Sequence, residues 1–435
     1  WAKDTAQVAR RLERHIEEAI RDDGEYGARA REAFEAYYAA LRKVLNPSIT
    51  EEEALSMLVQ HIITAPIFQA LFKDYDFLRE NEVSRAFEKV VAVFRAFIEK
   101  ERGVLEGFYR SVRNRAVGLA EHERQDFLRT LYDTFFRTAF PKVTDRLGIV
   151  YTPVEVVDFI VKSTEAVLRD EFGLNLADED VVVLEPFAGT GTFLARLMRE
   201  IHPEALKRKY RSDEIWGNEI MLLPYYIALA NVESTYKDIT GEYAPFRNLL
   251  LVDTFQLTEG GELENGLFPE QYTDLMKKQK EAKINVIIGN PPWRAWQEDE
   301  NEGNKSVPYK KLRKRVQETY AEDSKATNKN ALYDSYILAL RWATDRIEER
   351  GVIAFVTNSG FLDGHAADGL RKHLEEDFAK IYILNLRGNA RLQGVARRKE
   401  GGGIFDQGSR AGVVIVVLIK DKTKAGSAEI YYHDI

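Results

Sequence analysis

No cysteine occurs among the 435 residues, which excludes disulfides, thiolate catalysis and cysteine-ligated zinc at once. An intracellular setting suits such a chain. Histidines number only seven and show no paired metal-ligand spacing, so a lone residue such as His365 reads as ordinary surface or core. No catalytic metal is expected. Apolar runs never approach the roughly 20 residues of a membrane span, and the opening Trp1-Ala2-Lys3-Asp4 lacks a signal-peptide core. The expected location is cytoplasmic, with no membrane partner. An excess of positive charge is missing too: the net charge of −8 argues against a protein coated in nucleic acid, although a whole-chain charge says little about one cleft. Against these absences stand a length beyond one average domain and 45% hydrophobic residues. Two domains with sizeable cores are expected.

The first part, 1–145, reads as helix throughout. Leu55, Leu58, Val59, Ile62 and Ile63 fall at i, i+3, i+4, i+7 and i+8, and Thr50 with Glu53 forms a capping box just after Asn46-Pro47. Similar amphipathic stretches lie near 5–22, 27–45, 82–101 and 121–139, with connections at Gly24, Pro47 and Gly103. This is an all-α bundle or array. Arg110, Arg113 and Arg115 read either as phosphate contacts or as a solvated helix face. With no catalytic cluster in it, the region reads as a spacer, coupler or docking element.

From Gly148 the texture changes to alternating strands and helices, and 146–435 reads as α/β. Thr152-Pro153 followed by Val154, Val157, Ile160 and Val161 makes a helix start, with Thr152 as cap and Pro153 in the first turn. The run Val181–Leu184 then enters Glu185-Pro186-Phe187-Ala188-Gly189-Thr190-Gly191 and a helix from Leu194, which is a nucleotide-binding start. Leu194 stands where a dinucleotide site has its third glycine, and no Lys-Ser/Thr pair closes a phosphate loop. An acid at the strand tip, Glu185, suits a cationic ligand instead. Two later strand ends carry Glu219, placed to accept ribose hydroxyls, and Asp253, placed to accept from an adenine amino group. Three successive acids thus mark the ligand-binding edge of a sheet.

A fourth strand, Val286–Ile288, breaks off at Gly289-Asn290-Pro291-Pro292-Trp293. Two prolines without N–H groups stiffen this loop and push Asn290 to an extended conformation. Asn290 Oδ1 and the Pro291 carbonyl can accept both hydrogens of an exocyclic amino group, with Trp293 as a stacking face. On these residues alone, an ordinary turn anchored by a core tryptophan fits as well. Further apolar runs, Val352–Thr357, Ile381–Leu386 and Val413–Ile419, bring the strands to about seven, with helices near 331–349 and 365–378. Two loops concentrate positive charge: one with Lys310, Lys311 and Arg313, the other with Arg391, Arg397 and Arg398 ahead of Gly401-Gly402-Gly403-Ile404-Phe405. They read as DNA-phosphate contacts or as solvated loops.

In this order, Gly148-Ile149-Val150-Tyr151-Thr152-Pro153, the glycine turn and Asn290-Pro291-Pro292-Trp293 resemble the motifs of gamma-group DNA adenine-N6 methyltransferases. With the helical region ahead, and Asn385–Arg391 and Gly408-Ser409-Arg410 behind, the chain most resembles the coupler-methyltransferase portion of type ISP single-polypeptide restriction-modification enzymes. The resemblance implies a class I S-adenosylmethionine-dependent methyltransferase, a Rossmann-like seven-stranded sheet with an antiparallel seventh strand. It implies S-adenosylmethionine held by Tyr151, Thr152, Pro153, Glu185, Phe187, Ala188, Gly189, Gly191, Glu219, Ile220 and Asp253. Asn290, Pro291, Pro292 and Trp293 would be catalytic, with Trp293 and Phe405 stacking on a flipped adenine in double-stranded DNA. In that family a nuclease and helicase motor precede the coupler and a target-recognition domain follows; this chain has no Walker, helicase or nuclease motif. The implied function is the site-specific adenine-N6 modification activity of a restriction-modification or phage-defence system. Two other readings stay open. One is cytosine-N4 methylation, whose usual loop begins with Ser. The other is a cofactor-binding scaffold or sensor within a larger defence complex.

Overall fold

The structure, a computed structural model, describes residues 2–71, 80–116, 152–260, 268–293, 309–390, 400, 411–424 and 426–435. Two compact units emerge, and they do not follow chain order. The first takes Trp1–Arg146, Glu219–Asp253 and Gly261–Lys280; the second takes Leu147–Asn218, Thr254–Gly260 and Glu281–Ile435. Tyr151, Arg391, Arg397, Arg398, Phe405 and the helix expected near 121–139 lie outside the described residues. Among the described residues no helix is long and apolar enough to cross a membrane.

The first unit begins with helices Ala2–Arg21, Glu25–Val44, Glu51–Leu71, Glu82–Val91 and Arg95–Ala116. The expected capping box forms, with Glu53 N–H donating to Thr50 Oγ1 at 3.2 Å and Thr50 N–H to Glu53 Oε2 at 2.9 Å. All five apolar residues of the 55–63 stripe are buried. Gly103 is a correction: it sits inside helix Arg95–Ala116 rather than in a connection. A mid-helix glycine costs only about 1 kcal/mol, which neighbouring turns of a 22-residue helix readily offset. The unit also encloses helix Leu222–Thr240, buried from Leu222 to Ala230 without interruption. A helix apolar on every side needs partners all round. Here they come partly from the N-terminal helices: Asn81 Nδ2 donates to Tyr225 OH at 2.8 Å, and His61 Nδ1 lies 2.9 Å from Tyr226 OH.

Glu233 on that helix is fully enclosed and accepts from Tyr243 OH at 2.9 Å and Phe246 N–H at 3.0 Å. Burial pushes its carboxyl up to about 8, against the pull of those two donors. Because the folded value lies above the unfolded one, the stability it contributes is full below about pH 4.5 and is lost as pH rises through about 8. Glu233→Gln should therefore lie within about 1 kcal/mol of the parent at pH 5 but exceed it by about 4 kcal/mol at pH 9. Urea melts at both pH values check this, and parallel losses in the two proteins would contradict it.

Eight strands occur among the described residues: β1 Val183–Glu185, β2 Ile215–Glu219, β3 Leu249–Leu251, β4 Val286–Gly289, β5 Arg350–Asn358, β6 Lys380–Arg387, β7 Val413–Asp421 and β8 Glu429–Asp434. In the second unit seven of them run in the order β2-β1-β4-β5-β7-β6-β8, while β3 belongs to the first unit. β1 pairs in parallel with β2 and β4, and β4 with β5. β7 is antiparallel to both β5 and β6. The continuous Val413–Asp421 run, buried at all nine positions, suits a strand inserted between two others. An additional strand, β8, pairs in parallel with β6 and stacks Tyr431 on Tyr382 at 4.8 Å. It was not expected: every one of its residues is exposed, so it carries no inward-outward alternation to read.

Candidate active site

In the second unit the strand ends gather the glycine turn and the Pro-Pro loop. β1 and β4 are neighbours, so their last residues meet: a Cβ built on Gly289 would lie 3.7 Å from Glu185 Cγ and 3.9 Å from Pro186 Cδ. Gly289 has φ +156°, which lets the chain leave β4 past that acid. Glu185 is buried and accepts from Leu194 N–H at 3.1 Å, so the carboxylate caps the helix Thr192–Arg199 that follows its own turn. Gly189 and Gly191 both adopt positive φ, +55° and +76°. Open space surrounds a Cβ built on Gly189, so the backbone there can come close to a ligand.

Side chains that carried no sequence signal fasten this turn. Ala188 N–H donates to the Asn218 carbonyl at 2.8 Å, Asn218 Nδ2 donates to Thr254 Oγ1 at 3.2 Å, and Thr254 Oγ1 donates to the Pro186 carbonyl. Asn218 and Thr254 adjoin the predicted acids Glu219 and Asp253 in the chain. The Phe187 ring packs edge-on against Phe255 at 5.5 Å and Trp342 at 6.4 Å, with Tyr309 beyond at 5.1 Å from Phe255. Its ring thus serves an aromatic cluster.

Asn290 follows β4, and its Nδ2 donates to Thr152 Oγ1 at 3.0 Å. Its Oδ1 is buried and has no hydrogen-bond partner among the described residues. This corrects the expectation for Thr152. Pro153 rather than Thr152 precedes helix Val154–Val167, no side chain caps that helix, and the threonine hydroxyl takes the Asn290 amide instead. The helix is itself tied down, because Arg196 Nη2 donates to Asp158 Oδ2 at 2.7 Å. Pro291 is buried, and Pro292 and Trp293 are half-buried.

In the first unit, Glu219 is buried and its Oε1 accepts from Met221 N–H at 2.8 Å; Ile220 is half-buried beside it. Asp253 is also buried, and its Oδ2 accepts from Asn46 Nδ2 at 2.8 Å. That partner comes from 207 positions earlier in the chain.

The basic segment read as a loop is in part a helix, Lys310–Val316, anchored by buried Leu312 and Val316. Glu259 accepts from Lys311 N–H and Leu312 N–H, both at 2.8 Å, and so binds its N-terminus. Arg313 lies over the Tyr333 ring at 4.9 Å, and Arg315 pairs with Asp345 at 3.0 Å. Lys310 and Lys311 are exposed.

Comparison with known proteins gives the family. Residues 1–124 match the coupler domain of Type ISP restriction-modification enzymes, and residues 123–384 match the N-6 DNA methylase family. Among solved structures, the chain is similar to the Type ISP enzyme LlaBIII bound to DNA, with 43% identity and a TM-score of 0.92, covering 100% of this chain and 29% of that one. A nuclease-deletion mutant of the Type ISP enzyme LlaGI, in complex with a DNA substrate mimic, shows 42% identity and a TM-score of 0.90, covering 100% and 35%. The DrdV–DNA complex follows at 35% identity and 0.89, covering 100% and 41%. The chain thus spans between about three tenths and two fifths of these relatives' lengths. Curated proteins return no match. With a methylase match over more than half of its residues and a coupler match ahead of it, the chain belongs to the N-6 DNA methylase family, in the coupler-methyltransferase arrangement of Type ISP enzymes.

Proposed function

We propose that the chain transfers a methyl group to the N6 amino nitrogen of adenine in double-stranded DNA, as the modification activity of a restriction-modification system. The observation that carries this reading is Asn290: its amide is fixed through Nδ2 while Oδ1 is left as a buried acceptor with no partner among the described residues. A buried acceptor without a partner is unfavourable by about 1–3 kcal/mol, so a site that keeps one is set up to receive a donor. An exocyclic amino group is such a donor.

S-adenosylmethionine, when bound, supplies the methyl group. In the second unit Glu185 and the Gly189–Gly191 backbone have the chemistry its cationic amino-acid end requires; in the first, Glu219 is an acceptor of the kind its ribose requires and Asp253 of the kind its adenine amino group requires. Thr152 and Pro153 belong to the same proposed set, as do Phe187, Ala188 and Ile220 through their backbones. A target adenine must leave the duplex, since its amino group is otherwise paired and stacked. Trp293 offsets part of that loss, because stacking on an aromatic ring contributes about 1–3 kcal/mol per base. Asn290 Oδ1 and the Pro291 carbonyl then accept the two amino hydrogens and hold the nitrogen lone pair toward the incoming methyl group. No strong base is needed, since the alkylated nitrogen is acidic and passes its proton to the same acceptors or to water. Lys310, Lys311 and Arg313, with Arg391, Arg397 and Arg398, would meet DNA phosphates, and Phe405 would stack on the base. Nuclease, helicase and target-recognition functions would come from other domains.

Expression in a bacterium without adenine methylation tests the reading in cells. Methylated adenine in the cellular DNA, with no single fixed sequence around it, is the expected result for this chain alone; unmodified DNA from cells holding folded, cofactor-binding protein would overturn it. Thr152→Val keeps the shape but removes the acceptor that orients Asn290. Turnover should fall about 10-fold, more than cofactor affinity does, and an unchanged turnover would show that the amide orients itself.

A further inference from the structure

The helical region reads as chemistry-free, yet one of its side chains reaches a predicted cofactor-binding acid. Asn46 sits in the turn between helices Glu25–Val44 and Glu51–Leu71, and is buried. Its Oδ1 accepts twice from Ser48, from N–H at 2.9 Å and from Oγ at 2.7 Å. Those two donors settle which way the amide faces, and its Nδ2 donates to Asp253 Oδ2 at 2.8 Å. The turn is held in place as well. Arg42 Nε donates to the Pro47 carbonyl at 2.8 Å, Tyr38 OH to the Ile49 carbonyl at 3.0 Å, and Pro47 restricts its own φ. The donor is therefore fixed before any ligand arrives.

We infer that Asn46 is a positioning residue for the cofactor: by fixing the rotation of the Asp253 carboxylate, the helical region helps set the affinity for the adenine amino group. This rests on the reading of Asp253 given above. The helical region then supports the adenine end of the cofactor's site. Linkage makes the effect reciprocal, so a bound adenine nucleoside should protect the 45–50 turn against exchange.

Asn46→Asp is the sharpest variant. A carboxylate still accepts from both Ser48 donors, preserving the turn, but sets a second negative charge against Asp253. Binding is measured by calorimetry on the whole chain, with S-adenosylhomocysteine and with its analogue lacking the 6-amino group. The parent should prefer the amino-bearing ligand by about 10-fold or more. Asn46→Ala should weaken S-adenosylhomocysteine about 10-fold and Asn46→Asp about 100-fold, while binding of the analogue with hydrogen in place of the 6-amino group changes less than about 3-fold. For Asn46→Asp the loss should shrink as pH is lowered and the acid pair takes up a proton. Equal losses for both ligands, or none for either, would overturn the inference for Asn46. A parent chain that binds neither ligand, or does not distinguish them, would instead overturn the role of Asp253.

Discussion

Asn290→Ala should bind S-adenosylmethionine about as well as the parent and transfer no measurable methyl group, with turnover down on the order of 10³-fold or more. The side chain donates to Thr152 Oγ1, and its Oδ1 has no partner among the described residues. Deleting it removes an unfavourable buried acceptor as well as a favourable bond, so folding stability should change by less than about 1 kcal/mol. The reacting amino group loses much more, namely the acceptor that concentrates its lone pair and the contact that aligns it. Asn290→Asp retains an acceptor at the same place and should keep part of the activity, about 10- to 100-fold below the parent. Single-turnover transfer measured beside a calorimetric titration separates chemistry from binding. Undiminished transfer by Asn290→Ala would remove the amide from the mechanism.

The second large effect is expected at Glu185. Its side chain is buried at the tip of β1, where it caps the next helix and lies against Gly289. Glu185→Gln keeps the size and can still accept from Leu194 N–H, but loses the charge and turns two donors toward the space a cationic ligand would use. Cofactor affinity should fall about 10- to 100-fold, the worth of hydrogen bonds to a charged group. Thermal unfolding without ligand should stay within a few degrees of the parent. If binding were unchanged, the acid would be only a helix cap.

How far these residues were legible depends on how local their partners are. The strands were readable because β-branched runs end abruptly in glycine, acids or prolines, and the glycine turn because it sits between such a run and a helix. β8 had no comparable mark, since solvent reaches all of its residues. In the basic segment the charges hid a short helix that rests on only two buried anchors, Leu312 and Val316. The Thr152-Pro153 pair spelled a helix cap, but the partner that claims the hydroxyl is 138 positions away. Asn46-Pro47 spelled a turn, which it is; its bond to Asp253 spans 207 positions. Pairings of that range have no local pattern, so a single chain read in order shows which residues could react and leaves out what orients them.

One measurement bears most directly on the central claim. The purified chain is incubated with labelled S-adenosylmethionine and unmethylated genomic DNA, in parallel with Asn290→Ala, and the DNA is digested to nucleosides. The account predicts label in N6-methyldeoxyadenosine from the parent and none from the variant. Label in N4-methyldeoxycytidine, or equal label in N6-methyldeoxyadenosine from both proteins, would contradict it.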